Sequence, residues 1–123
     1  MKITGIKRDD HGFADFSYVP LVFAAPKLAG FENNKEAALI CRAFSVSALA
    51  YSLCTDAKWG AAKLIPYKIH AGLDLASGAL ALGAVMLPQI AKNKAARNTF
   101  IAMGLTGLIV GTLSLIGAKQ KAY

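Results

Sequence analysis

Charge is scarce in this chain, and acidic charge is scarcer. Only 17% of the 123 residues are charged, with seven Asp and Glu against fourteen Lys and Arg. A soluble domain of this size carries about 25% charged and about 45–50% apolar residues. Here 55% are hydrophobic and the mean hydropathy is +0.44. Both departures argue against an ordinary soluble enzyme. Disorder is excluded too, because so much apolar surface cannot stay in water. The eleven glycines follow no three-residue period, which removes collagen. The length permits one domain, residues 1–123. The composition points to a small, all-α integral membrane protein.

Cysteine is equally sparse. Cys41 and Cys54 are expected on one helix, where a rise of about 1.5 Å per residue separates them by roughly 20 Å. A disulfide needs Cα atoms within about 7 Å, so both are read as free. There is no CxxC, and therefore no cue for a zinc ribbon or a redox pair. No Ser-His-Asp order, HExxH or phosphate-binding glycine loop is present. The chain reads as no enzyme and as carrying no cofactor. An early uninterrupted apolar run is missing as well. Lys7 to His11 precede the first apolar stretch, and Pro20 and Pro26 break it. That is unlike a signal peptide, so the first segment is expected to stay in the mature protein.

What is present is apolar length. A membrane helix needs about 20 mostly apolar residues. Residues 69–88 and 98–118 qualify cleanly, and residues 37–55 do so with one charge, Arg42. Residues 13–30 are shorter, with Asp15 and two prolines. A repeat raises that segment to a fourth span. HGFAD (His11 to Asp15) and HAGLD (His70 to Asp74) share His-x-x-x-Asp. An apolar run, a proline (Pro26, Pro88), a basic linker and a second apolar run follow each. Aligning the prolines takes a three-residue deletion in the first copy. The expected fold is four short transmembrane helices in two helix-hairpin repeats, about 11–56 and 70–118.

Basic residues cluster between the apolar runs, where headgroups lie. Lys2, Lys7, Arg8, Lys58, Lys63, Lys68, Lys119 and Lys121 fall on the termini and middle loop. Lys27, Lys35, Lys92, Lys94 and Arg97 fall on the two outer loops. The larger first group favours cytoplasmic termini. The expected location is the cell inner membrane, multi-pass. Nucleic acid is not an expected partner, since no basic stripe carries interleaved aromatics. The hairpins closed by Pro26 (AAPK) and Pro88 (MLPQ), with His11/Asp15 and His70/Asp74 upstream, resemble the SPW-repeat family of small bacterial membrane proteins. Ala25 and Leu87 precede the prolines and Lys27 and Gln89 follow them, where that family carries Ser and Trp. The resemblance implies architecture only.

A few side chains could carry chemistry. His70 and Asp74 at i, i+4 share one helix face, and ionisable groups in a span mark a functional site or a proton path by default. Capping a helix start is the structural alternative. His11 and Asp15 take the matching place in the first repeat. His11 and His70 could together ligate a haem between spans. Zinc would need the two pairs to meet, which spacing within each pair does not require, so no metal is assigned. Arg42 is expected to snorkel or to pair with Asp15. Gly104, Gly107 and Gly111, with Gly78 and Gly83, form small-residue faces for internal helix packing or for a partner. Tyr18, Tyr51, Trp59 and Tyr67 read as interfacial anchors. The leading functional expectation is a non-catalytic accessory or scaffold subunit of a larger membrane complex. The alternatives are a small transporter or proton-conducting oligomer, and a subunit holding haem, quinone or pigment.

Overall fold

The computed structural model describes residues 8–56 and 60–119. Five helices follow one another: α1 Arg8–Leu28, α2 Lys35–Leu53, α3 Tyr67–Ala84, α4 Pro88–Ala91 and α5 Lys94–Lys119. No strand accompanies them among the described residues; a single bridge pairs Thr55 with Ile65 in the middle loop. The four long helices form two hairpins, α1 with α2 and α3 with α5, and the pairs then meet along lighter seams. The chain is all-α.

Of the four expected spans, two meet the length and apolarity of a membrane helix: α2, and Lys94–Gly117 of α5. α1 and α3 do not. α3 carries Lys68, His70 and Asp74 within its 18 residues, and α1 carries acidic groups and two prolines. Among the residues that dilute their hydropathy, His11, Asp15, His70 and Asp74 make the site described below, while Lys27 and Lys68 are exposed.

The ends follow from local chemistry. Asn34 and Asn93 cap α2 and α5, accepting from the backbone N–H groups of Ala37 (3.2 Å) and Ala96 (3.0 Å). α1 ends at Gly30, whose φ of 89° suits glycine. Phe31 N–H then reaches back to the Pro26 carbonyl at 2.8 Å, closing a Schellman turn that drives Phe31 into the core. Pro26 therefore lies inside α1 and does not close it. α3 stops four residues before Pro88, and Pro88 opens α4 at N1, where its missing N–H costs nothing.

Proline leaves carbonyls without donors, and α2 supplies some. The Val22 carbonyl, four residues before Pro26, accepts from the Cys41 thiol at 3.3 Å. Ser45 donates to the Val19 carbonyl at 2.6 Å and Arg42 Nε to the Phe23 carbonyl at 3.1 Å. One face of α2 thus stitches the part of α1 around its two prolines. Arg42 also pairs with Glu32 at 3.1 Å and lies over the Phe23 ring. The expected option of Arg42 with Asp15 is not realised; the loop between α1 and α2 supplies its partner. Both cysteines are free.

The α3–α5 crossing is close because glycine makes it so. A Cβ on Gly78 would lie 2.7 Å from the Gly104 carbonyl oxygen, and one on Gly107 would lie 2.7 Å from Gly78 Cα. Gly111 meets α3 backbone at 2.8 Å, and Gly104 meets the Leu82 side chain. These four glycines pack inside the chain, the internal of the two alternatives expected for them. Gly83 touches nothing and belongs to no seam.

A constant offset organises the whole fold. α2 starts at Lys35 and α5 at Lys94, 59 residues apart like His11 and His70. At that same offset lie Asn34 and Asn93, Ala37 and Ala96, and Phe31 and Ile90, with each pair in an equivalent role. The two halves match without a gap. The three-residue deletion expected from the prolines is not needed, because Pro26 and Pro88 are not equivalent positions.

The crossing gives a direct test. Gly107→Leu should destabilise the bundle by about 3 kcal/mol, because its new side chain meets backbone that cannot move aside. Gly83→Leu should be neutral or stabilising, since leucine is the better helix former by up to about 1 kcal/mol. Thermal unfolding followed by circular dichroism in detergent compares them. Equal midpoints for the two variants would contradict the close crossing.

Candidate functional site

The interior has two ends of opposite character. One holds Val22, Phe31, Ala37, Cys41, Ala81, Ile90, Ala96, Phe100 and Met103. The other holds His11, Asp15, Ser52, Thr55, His70, Asp74 and Ser114, all buried. Polar groups buried to that degree must be satisfied by one another.

His11 and Asp15 come from the start of α1, and His70 and Asp74 from the start of α3. Spacing i, i+4 puts each pair on one face, and the packing of the halves turns those faces together. The ligand-type atoms of all four lie within 4.8 Å of one another. His11 Nε2 is 2.7 Å from Asp15 Oδ2, 2.8 Å from Asp74 Oδ2 and 3.0 Å from His70 Nε2. His70 Nε2 is 3.4 Å from Asp74 Oδ2 and also contacts Asp15 Oδ2. Two nitrogens and two oxygens therefore converge on one point.

A surrounding layer fixes their orientation. Thr55, just past α2, donates its one hydroxyl hydrogen to the Tyr51 carbonyl at 2.6 Å. Its oxygen, 2.7 Å from His70 Nδ1, is then left to accept. His70 therefore carries a hydrogen on Nδ1, and its Nε2 faces the centre, where it offers a lone pair when the ring is neutral. Ser114 of α5 hydrogen-bonds His11 Nδ1 at the corresponding place. Thr55 and Ser114 are themselves 59 residues apart, and each serves the histidine of the other repeat. Tyr51 donates to Asp74 Oδ1 at 2.5 Å, which leaves Asp74 Oδ2 turned inward. That oxygen is buried and in hydrogen-bonding geometry with no donor. Tyr67, buried, packs edge-on to His11 and stacked on His70.

Sequence reasoning picked His11, Asp15, His70 and Asp74, but as two separate pairs. It missed Thr55 and Ser114, which the 59-residue offset could have flagged. It placed Tyr51 and Tyr67 at the lipid interface, yet both turn inward to the site. Tyr18 lines a cavity of about 30 Å³ against Asp15 and Asp74, enough for one water. Trp59 lies outside the described residues.

The geometry limits the chemistry. A haem cannot lie between His11 and His70, because their nitrogens are 3.0 Å apart and two carboxylates crowd the same point. A proton path across the bundle meets the apolar end of the core, where no Asp, Glu, His, Lys or Arg side chain is buried among the described residues. The donor set, two imidazole nitrogens and two carboxylate oxygens, is of a kind that can hold a metal ion. No family model matches this chain, and no curated protein or solved structure matches it either.

The orienting role of Thr55 is measurable. Thr55→Val removes the acceptor of His70 Nδ1–H and should cost about 1–3 kcal/mol, the penalty for an unpaired buried group. Nitrogen-15 spectra of histidine-labelled protein should show the Nδ1–H tautomer at His70 and lose it in Thr55→Val. Thr55→Ser should keep it. An unchanged tautomer in Thr55→Val would reject the assignment.

Proposed function

We propose that this chain is a small, non-catalytic integral membrane protein: four membrane helices in two hairpins, serving as an accessory or scaffold subunit of a larger membrane complex. The observation that carries this reading is its inverted polarity. The interior holds two histidines, two aspartates and several hydroxyls. The exterior is apolar on every long helix: Phe13, Leu21 and Phe23 on α1, Leu39 and Val46 on α2, Ile69 and Leu80 on α3, Leu105 and Ile109 on α5. Water-facing surfaces rarely expose such continuous apolar area, whereas lipid favours it and confines polar groups to the interior. α1 and α3 share this outer face although their inward His-Asp pairs lower their hydropathy. The two His-Asp pairs point at each other, so lipid meets little of them.

Other features support the same reading. Each hairpin loop between the long helices is short, which leaves no room for a soluble catalytic domain. The four histidine and aspartate groups are buried, and the cavity against Asp15 and Asp74 has room for about one water. Basic residues lie at helix ends and linkers, which favours an inner-membrane, multi-pass arrangement with cytoplasmic termini. The resemblance to the SPW-repeat family agrees on two hairpins. The glycine seam is internal, so a partner would meet the outer apolar faces instead.

The test uses the protein at natural abundance in its own membrane. It should stay in the membrane pellet through an alkaline carbonate wash. Native mass spectrometry after gentle detergent extraction should then find it with larger, unrelated subunits. Release by carbonate would refute the membrane reading. Arrival alone or as a homo-oligomer would refute the accessory role.

A further inference from the structure

We propose that His11, Asp15, His70 and Asp74 bind one divalent transition-metal ion of the zinc class, through both Nε2 atoms and both Oδ2 atoms. The inference concerns the buried centre alone and does not depend on the role assigned to the protein in the membrane.

Charge comes first. Two carboxylates are enclosed where an uncompensated charge is very costly. Compensation is either two imidazolium protons or one doubly charged ion between neutral rings. The hydrogen bonds separate these. Thr55 fixes the His70 hydrogen on Nδ1, as an orienting partner does in metal sites, freeing Nε2 to ligate. A second hydrogen on each Nε2 would bring two cationic N–H groups nose to nose, with nitrogens 3.0 Å apart. It would also crowd both protons against the two carboxylates, with Asp74 Oδ2 2.8 Å from one Nε2 and 3.4 Å from the other. An ion at the common point satisfies all four atoms at once.

Geometry comes second. Tetrahedral bonds of about 2.0–2.1 Å put ligand atoms about 3.3 Å apart. Four of the six edges here measure 2.7, 2.8, 3.0 and 3.4 Å; the His70–Asp15 edge is shorter, and all four atoms lie within 4.8 Å of one another. Side-chain rotation that opens the short edges lets the four atoms surround an ion. The set is two-fold symmetric, one His and one Asp from each repeat, so an ion on the pseudo-axis sees equivalent ligands. Paired imidazoles select zinc-like ions over magnesium or calcium, which prefer all-oxygen shells. Four protein ligands make a closed, structural type of site. Its effect is to clamp α1 to α3 and thereby one repeat to the other.

The full chain, in detergent and stripped with a chelator, is titrated with zinc and separately with magnesium. Elemental analysis after desalting should give one zinc per chain. The thermal midpoint should rise with zinc and not with magnesium. Cobalt(II) in place of zinc should give the intense visible bands of a four-coordinate centre. His70→Ala and Asp74→Asn should abolish retention. Thr55→Val and Ser114→Ala leave all four ligands in place and should weaken affinity about tenfold to hundredfold. The wild-type measurements stand by themselves if the ligand variants do not fold. The proposal is overturned by no retained zinc and no thermal shift in the wild type, which would make the centre a proton-balanced ion-pair network. Zinc retention unchanged in His70→Ala, or a weak six-coordinate cobalt spectrum, would overturn it as well.

Discussion

Two carboxylates buried together set the terms for everything around them. Asp15 and Asp74 are nearly inaccessible, and their inward oxygens approach the same two imidazole nitrogens. Like charges at that range are tolerable only with positive charge between them and with every remaining polar atom occupied. Tyr51 takes the outer oxygen of Asp74, Ser52 approaches Asp15 at 3.5 Å, and Thr55 and Ser114 hold the far sides of the rings. These partners come from the ends of α2 and α5 or just past them, so each long helix has one end pinned to a single centre.

Pinning one end leaves the other to ordinary packing. There the Phe31 and Ile90 side chains, each from a hairpin connection, fill the space between the helices with Phe100 and Met103. This division explains why two crossings differ. α3 and α5 are held by backbone proximity through glycine. α1 and α2 are held by side-chain donors reaching carbonyls near the α1 prolines. Equivalent hairpins have therefore kept the same outline with different fastenings: Ser45 sits at the offset position of Gly104, and Ala48 at that of Gly107.

Much of the fold was legible in the sequence, and the reasons are specific. Four apolar segments with short links leave few arrangements besides paired hairpins. His-x-x-x-Asp, written twice, marked the site. The glycines of α5 marked a close crossing. What was not legible depended on three-dimensional convergence. Prolines are conspicuous, so aligning Pro26 with Pro88 was tempting, yet one lies inside a helix and the other starts one. That shift of three residues hid the equivalence of Thr55 with Ser114, and with it the cue that two hydroxyls attend two histidines. Nor could hydropathy show that α1 and α3 face their charges toward each other. A sum over the whole helix counts a residue equally whether it points to lipid or to the axis. The tyrosines misled in the same way: a phenol near a helix end suits a headgroup or a buried carboxylate, and only packing decides.

The crossing-over of those hydroxyls constrains how the halves relate. Thr55 orients the histidine of the second repeat, and Ser114 that of the first. Neither repeat contains a complete centre: each has a His and an Asp, but the group that orients its own histidine sits on the other half. Reciprocal contacts of this form, i with j and j with i, are what a two-fold interface between identical chains produces. The present chain places both copies of that interface on one polypeptide. Once the halves are joined, the requirement for identity lapses everywhere except near the axis, where both copies meet the same point. The residues agree with this. His and Asp are kept in both halves, and the hydroxyl position tolerates Thr or Ser, while Tyr51 faces Val110 at its offset position and Cys41 faces Phe100. The two halves are alike around the shared centre and differ where helices only fill space.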